Sequence, residues 1–181
     1  SLHTRNPAIN NAGDLLLRLV LFWGIFLPWG KRFSLDAFRR PRAASEKNTV
    51  FSSATIAYIA QIVIMYWMSV ILKSGPEWRL DGSALYHMLN THQLTTSLGS
   101  YLLNFPQLLK YLTFSSLILQ AAAPALILSP LFTGVLKMPA IFSLALMHSG
   151  YALILSIGNF PYVAIVALTC LLPPKFWDVA E

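Results

Sequence analysis

Apolar residues in this chain gather into blocks of about 13 to 25, separated by short polar stretches rich in turn formers, which is the spacing of helices that cross a bilayer. Ser1–Gly13 (SLHTRNPAINNAG) is polar and predicts a loop, with Asn11 or Asp14 placed to cap the helix after it. The first block, Leu15–Trp29, holds a single charge, Arg18, and closes at Pro28 and Gly30. It is short for a span; Arg18 can snorkel to the interface, and it either binds a lipid phosphate or pairs with Asp14 one turn away, the pair being expected.

The second block, Ala54–Leu72, is uncharged and stops at Lys73. Gly75, Pro76 and Gly82 then break the chain. Ser83–Leu103 mixes polar and apolar positions in helical pieces, which suits short helices lying at the interface or folded back onto the protein. A third span is expected over Leu108–Phe132 with a kink at Pro124, and a fourth over Pro139–Ile157 after the link Thr133–Met138. The last block, Phe160–Leu172, ends at Pro173-Pro174. The expected fold is therefore all-α: one transmembrane domain over residues 1–181, a bundle of roughly four to five membrane helices with short interfacial ones.

Composition sharpens this picture. Of 181 residues, 56% are hydrophobic and only 11% charged, too few charges to solvate the surface of a water-soluble domain. The formal charge is +6, and six of the thirteen Lys and Arg fall in Lys31–Lys47. That stretch reads as a cytoplasmic loop rather than a nucleic-acid patch, because no aromatic-basic interleaving accompanies it. Lys73 and the segment through Pro106 then face the opposite side. The lone Cys170 excludes an internal disulfide framework, and His87 and His92, five apart, do not share a helical face for a metal. The chain starts at Ser1 without methionine or signal pattern and reads as a piece of a longer protein.

Ionisable groups are costly inside a bilayer, so the few in these blocks are the candidates for function. At 100° per residue, Ser69, Tyr66 and Tyr58 fall within roughly 60° of Lys73 on the helix surface. The plain reading is a snorkelling lysine among interfacial tyrosines; the functional one is a partly desolvated amine acting as a base near neutral pH. His148 lies mid-span, where Ala145/Ser149 and Ala152/Ser156 allow close helix packing, and is expected to face protein. It either hydrogen-bonds a neighbouring helix or handles a ligand or proton. Gln120 is placed to satisfy backbone groups freed by Pro124.

The segments SLHTRNP, LPWGKRFSLD, the LK-x-x-x-x-W of LKSGPEW, and HSGYALILSIGNFPYVAIVALTCLLPPKFWD together resemble the horizontally transferred transmembrane (HTTM) family, the membrane domain shared with vitamin K-dependent gamma-carboxylases, over Ser1 to about Asp178. The resemblance points to a bacterial branch and a bacterial inner membrane. It implies a base at Lys73, five residues before Trp78, acting on a reduced quinone such as vitamin K hydroquinone. It also implies a role for His148, which precedes Ser156-Ile157-Gly158 and Phe160. The expected site is thus Lys73 and His148 as catalytic residues, with Tyr66, Ser69, Trp78 and Gln120 binding a lipid-soluble substrate, and no metal. The chain departs from the carboxylases at Gly30 and Lys31, where they carry an Asn-His pair, and at Gln120, where relatives often have an acid. Two functions follow: a carboxylase-like or hydroquinone-oxidising lysine-base enzyme, or a non-enzymatic membrane module holding lipid or a partner. A transporter fits less well, since neither an inverted repeat nor paired broken helices is apparent.

Overall fold

A computed structural model of the chain describes residues 12–27, 35, 39, 52–129, 136–172 and 176. The residues before Ala12, the end of the first block at Pro28–Gly30, the basic stretch Lys31–Lys47 apart from Leu35 and Arg39, the first half of the link Thr133–Met138, and Pro173-Pro174 lie outside the described residues. Eight helices are described: α1 (Ala12–Gly24), α2 (Ser53–Leu72), α3 (Pro76–Arg79), α4 (Ala84–Leu89), α5 (Ser97–Leu102), α6 (Pro106–Leu128), α7 (Lys137–Ile154) and α8 (Phe160–Thr169). Among the described residues there is no strand, so the expected all-α class holds. Two helices, α2 and α6, are long and apolar enough to cross a membrane.

Local chemistry explains the boundaries. Ser52 caps α2, accepting from the Thr55 N–H at 3.2 Å. Proline occupies the first turn of α3, α6 and α8, where its missing N–H leaves no helical bond unmade. Helix α6 runs through Pro124 to Leu128 and stops four residues short of the expected Phe132. Helix α7 ends at Ile154, so Ser156 lies beyond it and the Ala152/Ser156 packing pair is not helical. Gly158, with φ of 71°, takes the left-handed turn that leads into α8.

The core is built where α2, α6, α7 and α8 converge: Tyr58, Ile62 and Tyr66 pack with Ala123 and Ile127, Ala140, Ile141 and Leu144, and Ala167 and Leu168. Helix α1 packs against α8 and α2. Asn159, at the start of α8, donates to Asp14 Oδ1 at 2.8 Å. The carboxylate thus finds its partner across the bundle, and Arg18 is exposed rather than seated on it as expected. The neutral amide of Asn159 holds Asp14 in place, and Arg18 points away from it, its long stem free to carry the charge toward the interface. The outer faces carry Ile56, Ile64, Ile71, Ile118, Leu146, Leu153 and Val166 exposed. Only 22% of the most apolar window of α2 is buried, the reverse of a soluble core helix.

A second cluster, Leu85 and Leu89 with Leu109, Ile154 and Leu155, folds α4 back onto α6 and the end of α7. The chain between α4 and α5 meets the end of α7 through backbone bonds: Thr96 N–H to Ile154 carbonyl at 3.2 Å and Ser156 N–H to Leu94 carbonyl at 2.7 Å. Thr95 and Leu155 form an isolated antiparallel bridge there. Gly99 is required at this approach, since a Cβ would press into the Ile154 carbonyl. The excursion α3–α5 therefore covers the N-terminal half of α6, while α2 ends beside its middle: Lys73 meets Gln120, about 20 Å along α6 from its start.

Candidate functional site

Lys73 is the first residue past α2; its N–H still donates to the Ser69 carbonyl, at 3.2 Å, so the side chain keeps the helical azimuth. The amine turns inward instead of snorkelling. Nζ donates to Gln120 Oε1 at 2.7 Å, and Ser69 Oγ donates to the same oxygen at 3.0 Å. One turn deeper, the Tyr66 hydroxyl and His148 Nε2 are 2.8 Å apart. The periodicity of α2 thus delivers Tyr66, Ser69 and Lys73 to one lining, as expected. Tyr58, on the same face, is diverted: its hydroxyl donates to the Ala167 carbonyl of α8 at 3.0 Å, a packing role.

Gln120 does not fold back onto the backbone near Pro124. Its amide nitrogen lies 3.5 Å from Met147 Sδ, so the side chain spans from α2 through α6 to α7. The backbone beside Pro124 is served instead by Trp67, whose Nε1 donates to the Ala121 carbonyl at 3.2 Å. Gln120 is 3% exposed, Tyr66 3% and His148 2%, so all three are polar groups held in a dry interior. The rings of Tyr66, Tyr151 and Phe160 surround the imidazole with centroids at 5.9, 6.2 and 5.5 Å. His148 Nδ1 is buried with no hydrogen-bond partner, an orphan that a ligand oxygen would satisfy. The Ala145/Ser149 pair is in place on α7, Ser149 bonding back to the Ala145 carbonyl at 2.9 Å.

Trp78, from the short α3, lays its ring against the amine, with Nζ 4.7 Å from the ring centroid. All six residues expected at the site, Lys73, His148, Tyr66, Ser69, Trp78 and Gln120, therefore fall in two adjoining groups. Lys73, Ser69, Gln120 and Trp78 share the amine; Tyr66 and His148 form the pair beneath it. Burial lowers the Lys73 amine from the ordinary lysine value to about 8, because the ammonium loses hydration that the interior does not replace. Free amine is then available near neutral pH, the requirement for a base.

Sequence reasoning missed Arg79. Its Nε donates to the Lys73 carbonyl at 3.0 Å and its Nη2 to the Val70 carbonyl at 3.2 Å. Gln61 also passed unremarked as a partner-seeking group; both its amide atoms are buried without a hydrogen bond. Among the described residues no group of His, Cys, Asp and Glu is arranged to hold a metal. A family model described as HTTM domain matches residues 9–177. No curated protein and no solved structure matches the chain.

Proposed function

The chain belongs to the HTTM domain family, the membrane domain of vitamin K-dependent carboxylase-type proteins, and on that premise we propose that it is a membrane enzyme in which Lys73 is the general base toward a reduced quinone or another weakly acidic, lipid-soluble molecule. The observation that carries this reading is the inward amine: Lys73 sits on Gln120 and Trp78 with its basicity lowered to about 8, rather than reaching out to the interface. In the proposed step the free Nζ takes the hydroxyl proton; the substrate O–H bond breaks, an N–H bond forms, and the electron pair stays on oxygen. Gln120 Oε1 and the Trp78 face hold the resulting ammonium, while Ser69 fixes Gln120. Tyr66 orients His148, whose unpartnered Nδ1 is offered to a substrate oxygen. A hydroquinone fits this donor set because its two oxygens and flat ring meet polar atoms and aromatic faces; when bound it supplies the ionisable hydroxyl and the reducing electrons. Gamma-carboxylation belongs to this proposal only as one reaction a strong base could serve.

The same proposal has α1, α2, α6, α7 and α8 as four to five membrane crossings, with α8, at ten residues, too short to cross alone. It places Lys31–Lys47 in the cytoplasm of a bacterial cell and Lys73 toward the outer side. The test is oxidation of vitamin K hydroquinone under oxygen by purified protein in detergent. Wild type is expected to consume it, and Lys73→Ala is expected to fall to background while its helix content is unchanged. Equal rates for the two proteins would end the base assignment.

A second reading, a non-enzymatic module holding lipid or a partner, is favoured by one observation: Lys73 and Ser69 are both already satisfied by Gln120, which ties α2 to α6. It expects Lys73→Met to lose stability and no oxidation by either protein.

A further inference from the structure

The last carbonyls of a helix have no partner within it, and they form the negative end of its dipole. At the end of α2 two of them, on Val70 and Lys73, are taken by one side chain, that of Arg79. Arg79 closes α3, whose start is set by Gly75 and Pro76 only two residues after Lys73. The Trp78 and Arg79 N–H groups both return to the Gly75 carbonyl, at 3.1 and 3.2 Å. The guanidinium therefore closes a loop that begins and ends on Lys73, and Trp78 lies inside that loop with its ring against Nζ.

We infer that Arg79 is a positioning residue for the Lys73 amine: by bridging the Val70 and Lys73 carbonyls it fixes the turn that sets the Trp78 ring over Nζ and so covers one side of the amine. The inference rests on Lys73 as the reactive base. A lysine could not replace it, because the bridge needs two donors held at a fixed angle in one plane. The Lys73 amine itself meets Gln120 from α6, Glu77 and Arg79 belong to the turn, and the titratable groups deeper in the bundle are Tyr66 from α2 with His148 and Tyr151 from α7. Among the charged ones, only Arg79 bonds to the Lys73 backbone.

The test reads the amine itself. Purified protein in detergent is labelled with a small amine-acylating reagent across a pH series, and the Lys73 peptide is quantified by mass spectrometry. Wild type is expected to label with a midpoint near pH 8. Arg79→Gln is expected to move the midpoint up by about one pH unit, since losing the turn rehydrates the amine. Arg79→Lys, which keeps charge and length, is expected to move it in the same direction by a smaller amount. A profile for Arg79→Gln that overlays wild type overturns the inference, whatever its thermal midpoint. An Arg79→Lys profile that overlays wild type while Arg79→Gln shifts overturns it as well, because charge alone would then suffice. Labelling needs no substrate, so wild-type protein that labels as expected but fails to oxidise hydroquinone would count against the enzymatic reading alone.

Discussion

Lys73 Nζ donates to Gln120 Oε1 at 2.7 Å, joining the end of α2 to the interior of α6 through one charged hydrogen bond. Such a bond to a neutral amide holds an ammonium without fixing its charge, which leaves the amine free to gain and lose its proton.

Replacing that amide by a carboxylate removes this freedom. Gln120→Glu places an anion against Nζ, and an opposite charge at contact favours the protonated amine by about one to three pH units. The rising limb of hydroquinone oxidation against pH, expected near 8 in the wild type, should move upward by that amount. An unmoved limb would show that Lys73 does not set the profile.

The lowered amine also has a signature in stability. The unfolded chain holds its lysine proton up to the ordinary value of 10.5, and the folded chain only up to about 8. Below about 8 both states are protonated, and above 10.5 neither is; between them the unfolded state binds more protons, so folding gains as pH rises through that window. Thermal unfolding in detergent should therefore show wild type gaining on Lys73→Met between about pH 8 and 10. A constant difference would mean that the amine is hydrated in the folded protein.

Tyr66 and His148 form a buried pair at 2.8 Å. Tyr66→Phe should cost about 1 kcal/mol, because the imidazole loses its one side-chain bond while the aromatic packing stays. In a double-mutant cycle with His148→Phe the losses should be clearly less than additive. Strict additivity in thermal or denaturant titrations would show that the two side chains do not act as a pair.

Two glycines separate close approach from mere helix. A Cβ at Gly99 meets the Ile154 carbonyl, Thr95 and Leu89, so Gly99→Ala should lower the thermal midpoint and loosen the α5–α7 contact. A Cβ at Gly150 meets nothing within 4 Å, so Gly150→Ala should be neutral or stabilise by about 0.5–1 kcal/mol through helix propensity. The opposite ordering of the two midpoints would contradict the packing described for α7.

How much of this could be read from residues alone depends on whether the relation is angular or axial. Periodicity placed Tyr66, Ser69 and Lys73 on one face of α2, and the described helix bears that out. It could not say which neighbour stands at each height, so Tyr58 shares the face yet bonds to α8. Gln120 was misread for the same reason: Pro124 is its neighbour in sequence, but the stagger between α2 and α6 brings Lys73 to it. Arg79 carried a usable signal, a basic residue just past a helix end and a Gly-Pro turn, which helix C-termini favour. Pairing of Asp14 with Arg18 followed the one-turn spacing but ignored Asn159, which arrives from the far end of the chain.

The antiparallel bridge between Thr95 and Leu155 is made by peptide groups, not by side chains. Substitution at Thr95 leaves those peptide bonds in place, whereas Leu155 also packs in the second cluster and so is held to an apolar side chain. Inheritance of this joint is then carried largely by chain path, with the Thr96 hydroxyl on the Leu153 carbonyl, an apolar residue at Leu155 and a small one at Gly99 as its few side-chain requirements.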